Sequence, residues 1–367
     1  MKFVELKVHE LQAFVNTDDF RQMPELPIST LRAHSQSLNP SADLNDTALI
    51  FALNEQNLVV GYIGILPARA YSNDISKIYF ISCWWAHPEA GRGVAMKLFF
   101  RMLELTERRV FFFHLPEKMG AILKTMGGFS FPEVRSGIKG FLRLDFQSWL
   151  SNRNPRLSFL KPLSIIADLV INLPVSLHLA FRKIQLDEST GFYAELVEYP
   201  GMAELKYISE IINGSTIFRS IEELNWVIAQ PWISNDSSIY NNEAGRYRFS
   251  LLAKKWQQHW IRVSNGNEIK GMIYLTIRDG VASLPYVWFK NEDYAELAKS
   301  LIVLLIQMKV RAILSYNPSL LKGFNEIKNI FLHQRQLQKI IAWPNEMNEL
   351  MKKDYILHDG DGDAVFT

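Results

Sequence analysis

The 367-residue chain holds a single cysteine, Cys83, so it cannot close a disulfide on itself, and a reducing cytoplasm is the expected setting. It lacks a surplus of either charge. Forty Lys and Arg against 38 Asp and Glu leave a net +2 with no concentrated basic stretch, which argues against a nucleic-acid partner. Met1 to His9 carries early charges and no apolar run, so no signal peptide is expected. Walker, Ser-His-Asp and zinc-ligand spacings are also missing, so neither triad chemistry nor a metal site is expected. Apolar material, by contrast, is plentiful. At 48% hydrophobic and 21% charged the chain can bury a sizeable core, and its length suggests two domains at roughly 100–200 residues each.

The most informative stretch runs from Ala86 through His87-Pro88-Glu89-Ala90-Gly91-Arg92-Gly93-Val94 to Ala95. Before it, residues 77–85 are β-branched and aromatic and read as a buried strand. After it, apolar positions 94, 98, 99, 102, 103 and 105 follow helical spacing. A helix start leaves N–H groups without partners at a positive dipole end. Gly91 and Gly93, lacking Cβ, would let an anion approach that backbone. The stretch is therefore either a phosphate or pyrophosphate cradle or a plain strand-to-helix turn.

On these residues the chain resembles the GNAT (Gcn5-related N-acetyltransferase) superfamily, whose signature is Arg/Gln-x-x-Gly-x-Gly/Ala. Gly93 and Ala95 match it, while Ala90 stands in the leading position and Arg92 offers a charge nearby. The neighbouring order agrees. Strands are expected at 47–53, 57–67 and 109–114, a helix at 116–126, and Gly127-Gly128-Phe129 resembles the closing Gly-Phe. The resemblance spans residues 1–150 and implies acetyl-CoA as cosubstrate. It implies a pantetheine arm along the backbone of Trp84 and Ala86, and a pyrophosphate at Ala90, Gly91, Arg92, Gly93, Val94 and Ala95. The tyrosine that often protonates the leaving thiolate has no counterpart at Leu123-Lys124-Thr125-Met126.

From residue 188 the pattern restarts: strands at 192–198, 259–264, 269–277 and 281–289, a helix over 293–308, and a strand at 311–315. Lys270-Gly271-Met272-Ile273 echoes Val60-Gly61-Tyr62-Ile63. The expected fold class is thus α/β (α+β), with two GNAT-like domains, each a mixed, mostly antiparallel sheet flanked by helices. The expected boundaries are an acyl-CoA-binding domain at 1–150, an apolar helical linker at 151–187, and a divergent second domain at 188–367. In the second, Glu292 and Asp293 replace the glycine turn and suit helix capping better than phosphate binding. The linker, with Lys161, Asp168, Pro162 and Pro174, reads as a pair of short helices. The alternative is an interfacial membrane anchor flanked by Arg153, Arg156, Arg182 and Lys183.

Transfer of an acyl group to an amine needs a proton acceptor and a polarised thioester. Ser82, Cys83, His87 and His114 are the candidates near the thioester. His114 is preferred, and Lys124 could protonate a thiolate. Trp226 and Trp232, in a Phe218-Arg219…Trp226 stretch, would stack on a sugar or belong to the core, the latter preferred. The carboxylate-rich tail His358 to Asp363 reads as a solvated turn. The leading function is an acetyl-CoA-dependent N-acyltransferase of an amine or amino-sugar acceptor, with a homodimer and a peripheral membrane association as further partners. The alternatives are a non-catalytic scaffold, a peripheral membrane acyltransferase of envelope biosynthesis, and, more distantly, a Fem-type enzyme.

Overall fold

The computed structural model describes residues 1–71, 75–132, 134–145, 161–212, 216–236, 243–249, 251–351 and 356–366. In chain order the elements begin β1 (Lys2–Lys7), α1 (Leu11–Val15), α2 (Asp18–Gln22), α3 (Thr30–Ser37), β2 (Thr47–Leu53), β3 (Val59–Tyr71) and β4 (Ile75–Ala86). Then come α4 (Val94–Leu105), β5 (Val110–Leu115), α5 (Glu117–Met126), β6 (Phe129–Ser130), β7 (Arg135–Phe141), α6 (Lys161–Ser189), β8 (Tyr193–Val197) and α7 (Met202–Ile212). They continue with β9 (Ile217–Phe218), α8 (Ile221–Ala229), β10 (Trp256–Asn265), β11 (Glu268–Arg278) and β12 (Val281–Phe289). The last are α9 (Tyr294–Gln307), β13 (Ala312–Ser315), α10 (Pro318–Glu326) and β14 (His333–Pro344).

Two compact units interleave along the chain: Met1–Arg135 with Ile212–Trp256 and Lys339–Thr367, and Ser136–Ile211 with Gln257–Gln338. These differ from the contiguous split at 150 and 187 that the linear pattern suggests. The reason is an exchange of closing strands. β7, which follows α5 and β6 in the chain, pairs antiparallel with β13 of the second unit, Phe141 opposite Ala312. β14, which follows α10, supplies the first unit, Ile340 opposite Leu115 and Ala342 opposite Phe112 on β5.

In the first unit, β1, β2, β3 and β4 are antiparallel neighbours. Alternation along β3 divides its side chains between two cores. Tyr62 packs with Leu11, Phe20 and Phe51 on the α1–α3 side, while Ile63 and Ile65 pack with Val94, Phe99, Met102 and Phe112 on the α4 side. The spacing read for α4 and the strand at 47–53 are found, and the strand expected at 109–114 runs from Val110 to Leu115. β4 and β5 run parallel and pair at Tyr79↔Val110 and Phe80↔Phe111, and nowhere beyond among the described residues.

The second unit orders its strands β7-β13-β12-β11-β10-β8. Its succession β10-β11-β12-α9-β13-α10 repeats β2-β3-β4-α4-β5-α5 of the first, including the parallel β12–β13 pair. No glycine turn precedes α9. Glu292 and Asp293 lie in a 3-10 turn, and Asp293 at the helix start makes no side-chain cap. The linker is one helix of 29 residues rather than two, with Pro174 inside it. Pro174 is exposed, so its ring meets no core, while Val175, Leu179 and Leu186 pack into the second unit's core and hold the helix continuous. Asn172 bonds both backbone groups of Leu144 at 3.0 Å. The outward face is the apolar one: Ile166, Leu169, Val170, Leu173, Leu177, Phe181 and Ile184 are all exposed. Arg153 and Arg156 lie outside the described residues.

The C-terminal segment is not a solvated turn. Phe366 is fully buried, stacked on Trp232 at 4.5 Å and edge-on to Trp226 at 5.0 Å, and its carbonyl accepts from the Trp232 amide at 3.0 Å. The other face of Trp232 carries the buried Arg32 guanidinium at 4.5 Å. Both tryptophans are therefore core residues, not a sugar platform. Upstream, Ser220 and Glu223 form a reciprocal capping box that starts α8 and aims Trp226 inward. Replacing Phe366 with Ala removes a fully buried ring, and urea unfolding should show a loss of about 3–5 kcal/mol.

Candidate functional site

Where β4 and β5 part, a cavity of about 690 Å³ opens. Its wall includes Cys83, Trp84, Trp85 and Ala86 of β4, Ala95 of α4, Phe112 to Leu115 of β5, Lys118, Met119 and Ile122 of α5, Phe249, and Asp363 and Ala364 of the tail. Every lining residue belongs to the first unit. The sequence-predicted Trp84, Ala86, Ala95 and His114 thus come together here. Lys124 does not line the cavity, and its ammonium sits over the Phe131 ring at 5.2 Å.

The register of β4 against β3 changes between Tyr62↔Trp85 and Gly64↔Ser82, leaving an extra residue on β4. Cys83 takes the left-handed conformation there, with φ of 54°. Its thiol accepts from the Tyr247 hydroxyl at 3.2 Å, and Arg32 donates to the same hydroxyl at 3.1 Å. Burial pushes the thiol's pKa up, against the pull of Arg32. Gly64 opposite the bulge admits no side chain, since a Cβ would collide with Arg32 and the Ser82 carbonyl. Trp84 stacks on Phe99 at 5.4 Å, and its indole N–H, though buried, finds no acceptor among the described residues.

The two turn glycines serve different ends. A Cβ on Gly91 would lie 2.6 Å from His87 N, His87 O and Val60 O, so this glycine lets the turn pack against β3. Gly93 has φ of 76° and open space where a Cβ would stand, so it alone leaves room beside the N-cap of α4. The expected row of free amides is only partly present. Gly91 and Val94 bond within the turn at 2.9 Å and Arg92 at 3.4 Å, while the amides of Gly93 and Ala95 donate to no described residue. His87 Nδ1 accepts from the Glu89 and Ala90 amides at 3.3 and 3.1 Å, a structural task that occupies it. Ala90 and Arg92 are exposed.

Asp363 is the cavity residue that the linear sequence hid. The hydroxyl of buried Ser82 donates to its Oδ2 at 2.6 Å across 281 positions of chain. Gly362 has φ of 79°, and a Cβ there would stand 3.4 Å from Phe113 Cβ and 3.5 Å from the Phe80 ring. Upstream, Arg135 pairs with Asp359 at 2.9 Å, and Asp361 Oδ2 accepts from the His358 amide at 2.7 Å. Burial, with Lys339 adding to it, moves the His114 pKa down. Burial also lowers Lys339 to about 8, and its ammonium lies 4.9 Å from the Phe113 ring. The alternation of three aspartates with two glycines over 359–363 reads locally as a turn. Nothing local showed that β14 would carry it into the first unit.

Burial and the cations Arg135 and Arg219 hold His358 near a pKa of about 3 against an ordinary 6.5. Its stabilising effect is therefore complete above 6.5 and is lost as pH falls toward 3. Burial raises Asp361 to about 6 from 3.8, which acts oppositely: its effect is complete below 3.8 and is lost as pH rises through 6. Thermal melts between pH 6.5 and 4 should show His358→Gln less destabilised by acid than the wild type, because the variant carries no group that burial must keep uncharged.

No family model matches the chain, and no curated protein matches it. Among solved structures it is similar to a conserved protein of unknown function from Enterococcus faecalis V583, described as a probable N-acyltransferase, at 10% identity. That match covers 96% of this chain and 74% of the other with a TM-score of 0.48. A tandem GNAT protein from the clavulanic acid biosynthesis pathway gives 12% identity, 93% and 97% coverage and a TM-score of 0.46. Saccharomyces cerevisiae N-myristoyltransferase with bound myristoyl-CoA gives 8%, 93% and 82%, and 0.45. By its own strand order, its parted β4–β5 pair and the glycine-led helix behind them, the chain has a GNAT-type fold.

Proposed function

We propose that the first unit is an acyl-CoA-dependent N-acyltransferase, with acetyl-CoA as donor and an amine or amino sugar as acceptor, working by direct transfer. The observation that carries this is the open cavity between β4 and β5, whose wall takes in both Ala86 and Ala95, the residues flanking the glycine turn. In this reading the amides of Gly93 and Ala95 receive the pyrophosphate at the positive end of α4. Ala90, Gly91, Arg92 and Val94 shape that turn, and the backbone of Trp84 and Ala86 follows the pantetheine arm. His114, kept toward its neutral form, stands on the cavity wall where it can relay a proton to the departing sulfur. Lys124 has no part in this arrangement.

Calorimetric titration with acetyl-CoA tests the reading. The wild type should bind, and Gly93→Glu, which places a carboxylate and a strained backbone at the turn, should weaken binding more than tenfold. A wild type that takes up no acetyl-CoA at millimolar concentration would leave the non-catalytic scaffold as the surviving reading.

A second reading concerns location. No described helix is long and apolar enough to cross a membrane. The outward apolar face of α6 nevertheless favours a peripheral membrane protein over a freely diffusing one. Sedimentation with anionic vesicles should recover the wild type, and Leu173→Glu with Leu177→Glu should remain in the supernatant. Equal recovery of both would remove this reading.

A further inference from the structure

Resting on the acyltransferase reading, we infer that Asp363, delivered by the C-terminal segment, is the group that receives the acceptor's proton, and that the acceptor enters as a primary ammonium. Asp363 is the one carboxylate among the described residues that line the cavity; Cys83, His114 and Lys118 are the other titratable groups there. Its position is built. Ser82 Oγ, almost fully buried, donates to Oδ2 at 2.6 Å, which fixes the carboxylate and leaves Oδ1 with no donor among the described residues. The segment on either side is held as well, by Arg135 on Asp359 and by Phe366 between Trp226 and Trp232. Asp363 is thus the one anionic group on a wall that also carries His114 and Lys118, with Arg32 and Lys339 near it, and it offers an incoming ammonium its acceptor at Oδ1.

The step balances without another reactant. The ammonium gives one proton to Asp363 Oδ1. The freed nitrogen lone pair attacks the thioester carbonyl carbon, forming the C–N bond as the C–S bond breaks. The second proton lost by nitrogen ends on the departing CoA sulfur. Asp363 then returns its proton to solvent. Ser82 is a positioning residue in this scheme, because it acts through the carboxylate and touches no reacting atom.

The test compares wild type, Asp363→Asn and Asp363→Glu by two readouts: acetyl-CoA affinity, and release of free CoA with alkyl primary amines, glucosamine or hydroxylamine as acceptor. At pH 7 the alkyl amines are protonated and hydroxylamine is mostly neutral. Asp363→Asn should bind acetyl-CoA within twofold of wild type and lose about 100-fold or more in kcat/KM with the alkyl amines. It should lose far less with hydroxylamine, and its alkyl-amine rate should climb with pH as the free amine accumulates. Asp363→Glu should recover part of the rate. Wild-type rates in Asp363→Asn, or an equal loss with hydroxylamine and alkyl amines, would overturn the assignment. So would a wild type that binds acetyl-CoA yet releases CoA to none of these acceptors. A wild type that fails to bind acetyl-CoA would instead overturn the acyltransferase reading beneath it.

Discussion

The ladder between β4 and β5 stops after Phe80, and the cavity exists because it stops. A parallel pair that continued would bury this backbone and leave no room for a substrate. Hydrogen-bonding groups given up on one side must be satisfied on another. β5 finds its partner in β14 on its far edge, and β4 stays paired with β3 through a bulge. The bulge costs Cys83 a left-handed backbone, a strain of about 1–3 kcal/mol that persists only where surroundings enforce it. Arg32, Tyr247 and Gly64 are those surroundings.

Much of the secondary structure was legible in the sequence because its signals are local. The helical spacing over 94–105 and the apolar runs of β2 and β5 depend on near neighbours only. The exchange of β7 and β14 was not legible, since each strand pairs with a partner defined by distant sequence. For the same reason the contiguous division into domains misses the interleaving, and the tail's aspartates read as surface. α6 misleads in another way. Its apolar residues are plain in the sequence, but only the packing of Leu179 and Leu186 tells which face turns inward. At the site, the glycines were found, but their tasks were not separable: only the neighbours of a Cβ at Gly91 and at Gly93 distinguish packing from open space.

The environment of the cavity is electrostatically mixed in a way no single residue announces. A buried guanidinium, a lysine shifted to about 8 and an imidazole whose pKa burial lowers lie near one carboxylate held by a serine. Arg32 is stabilised by Tyr247 and by the face of Trp232, and that same indole carries Phe366 on its other side. The stack thus ties the charge behind the bulge to the anchoring of the chain that brings Asp363 forward.

Because β14 and the segment after it complete a unit that opens with β1, the first-made strands wait for the last. A ribosome must synthesise beyond residue 339 before β5 can gain its second neighbour. The contacts that close the first unit are among the most distant in sequence, and such closures are slow to form. Emerging chains will hold an unpaired β5 edge while residues 116–339 are made, an edge open to chaperones or to pairing with another chain.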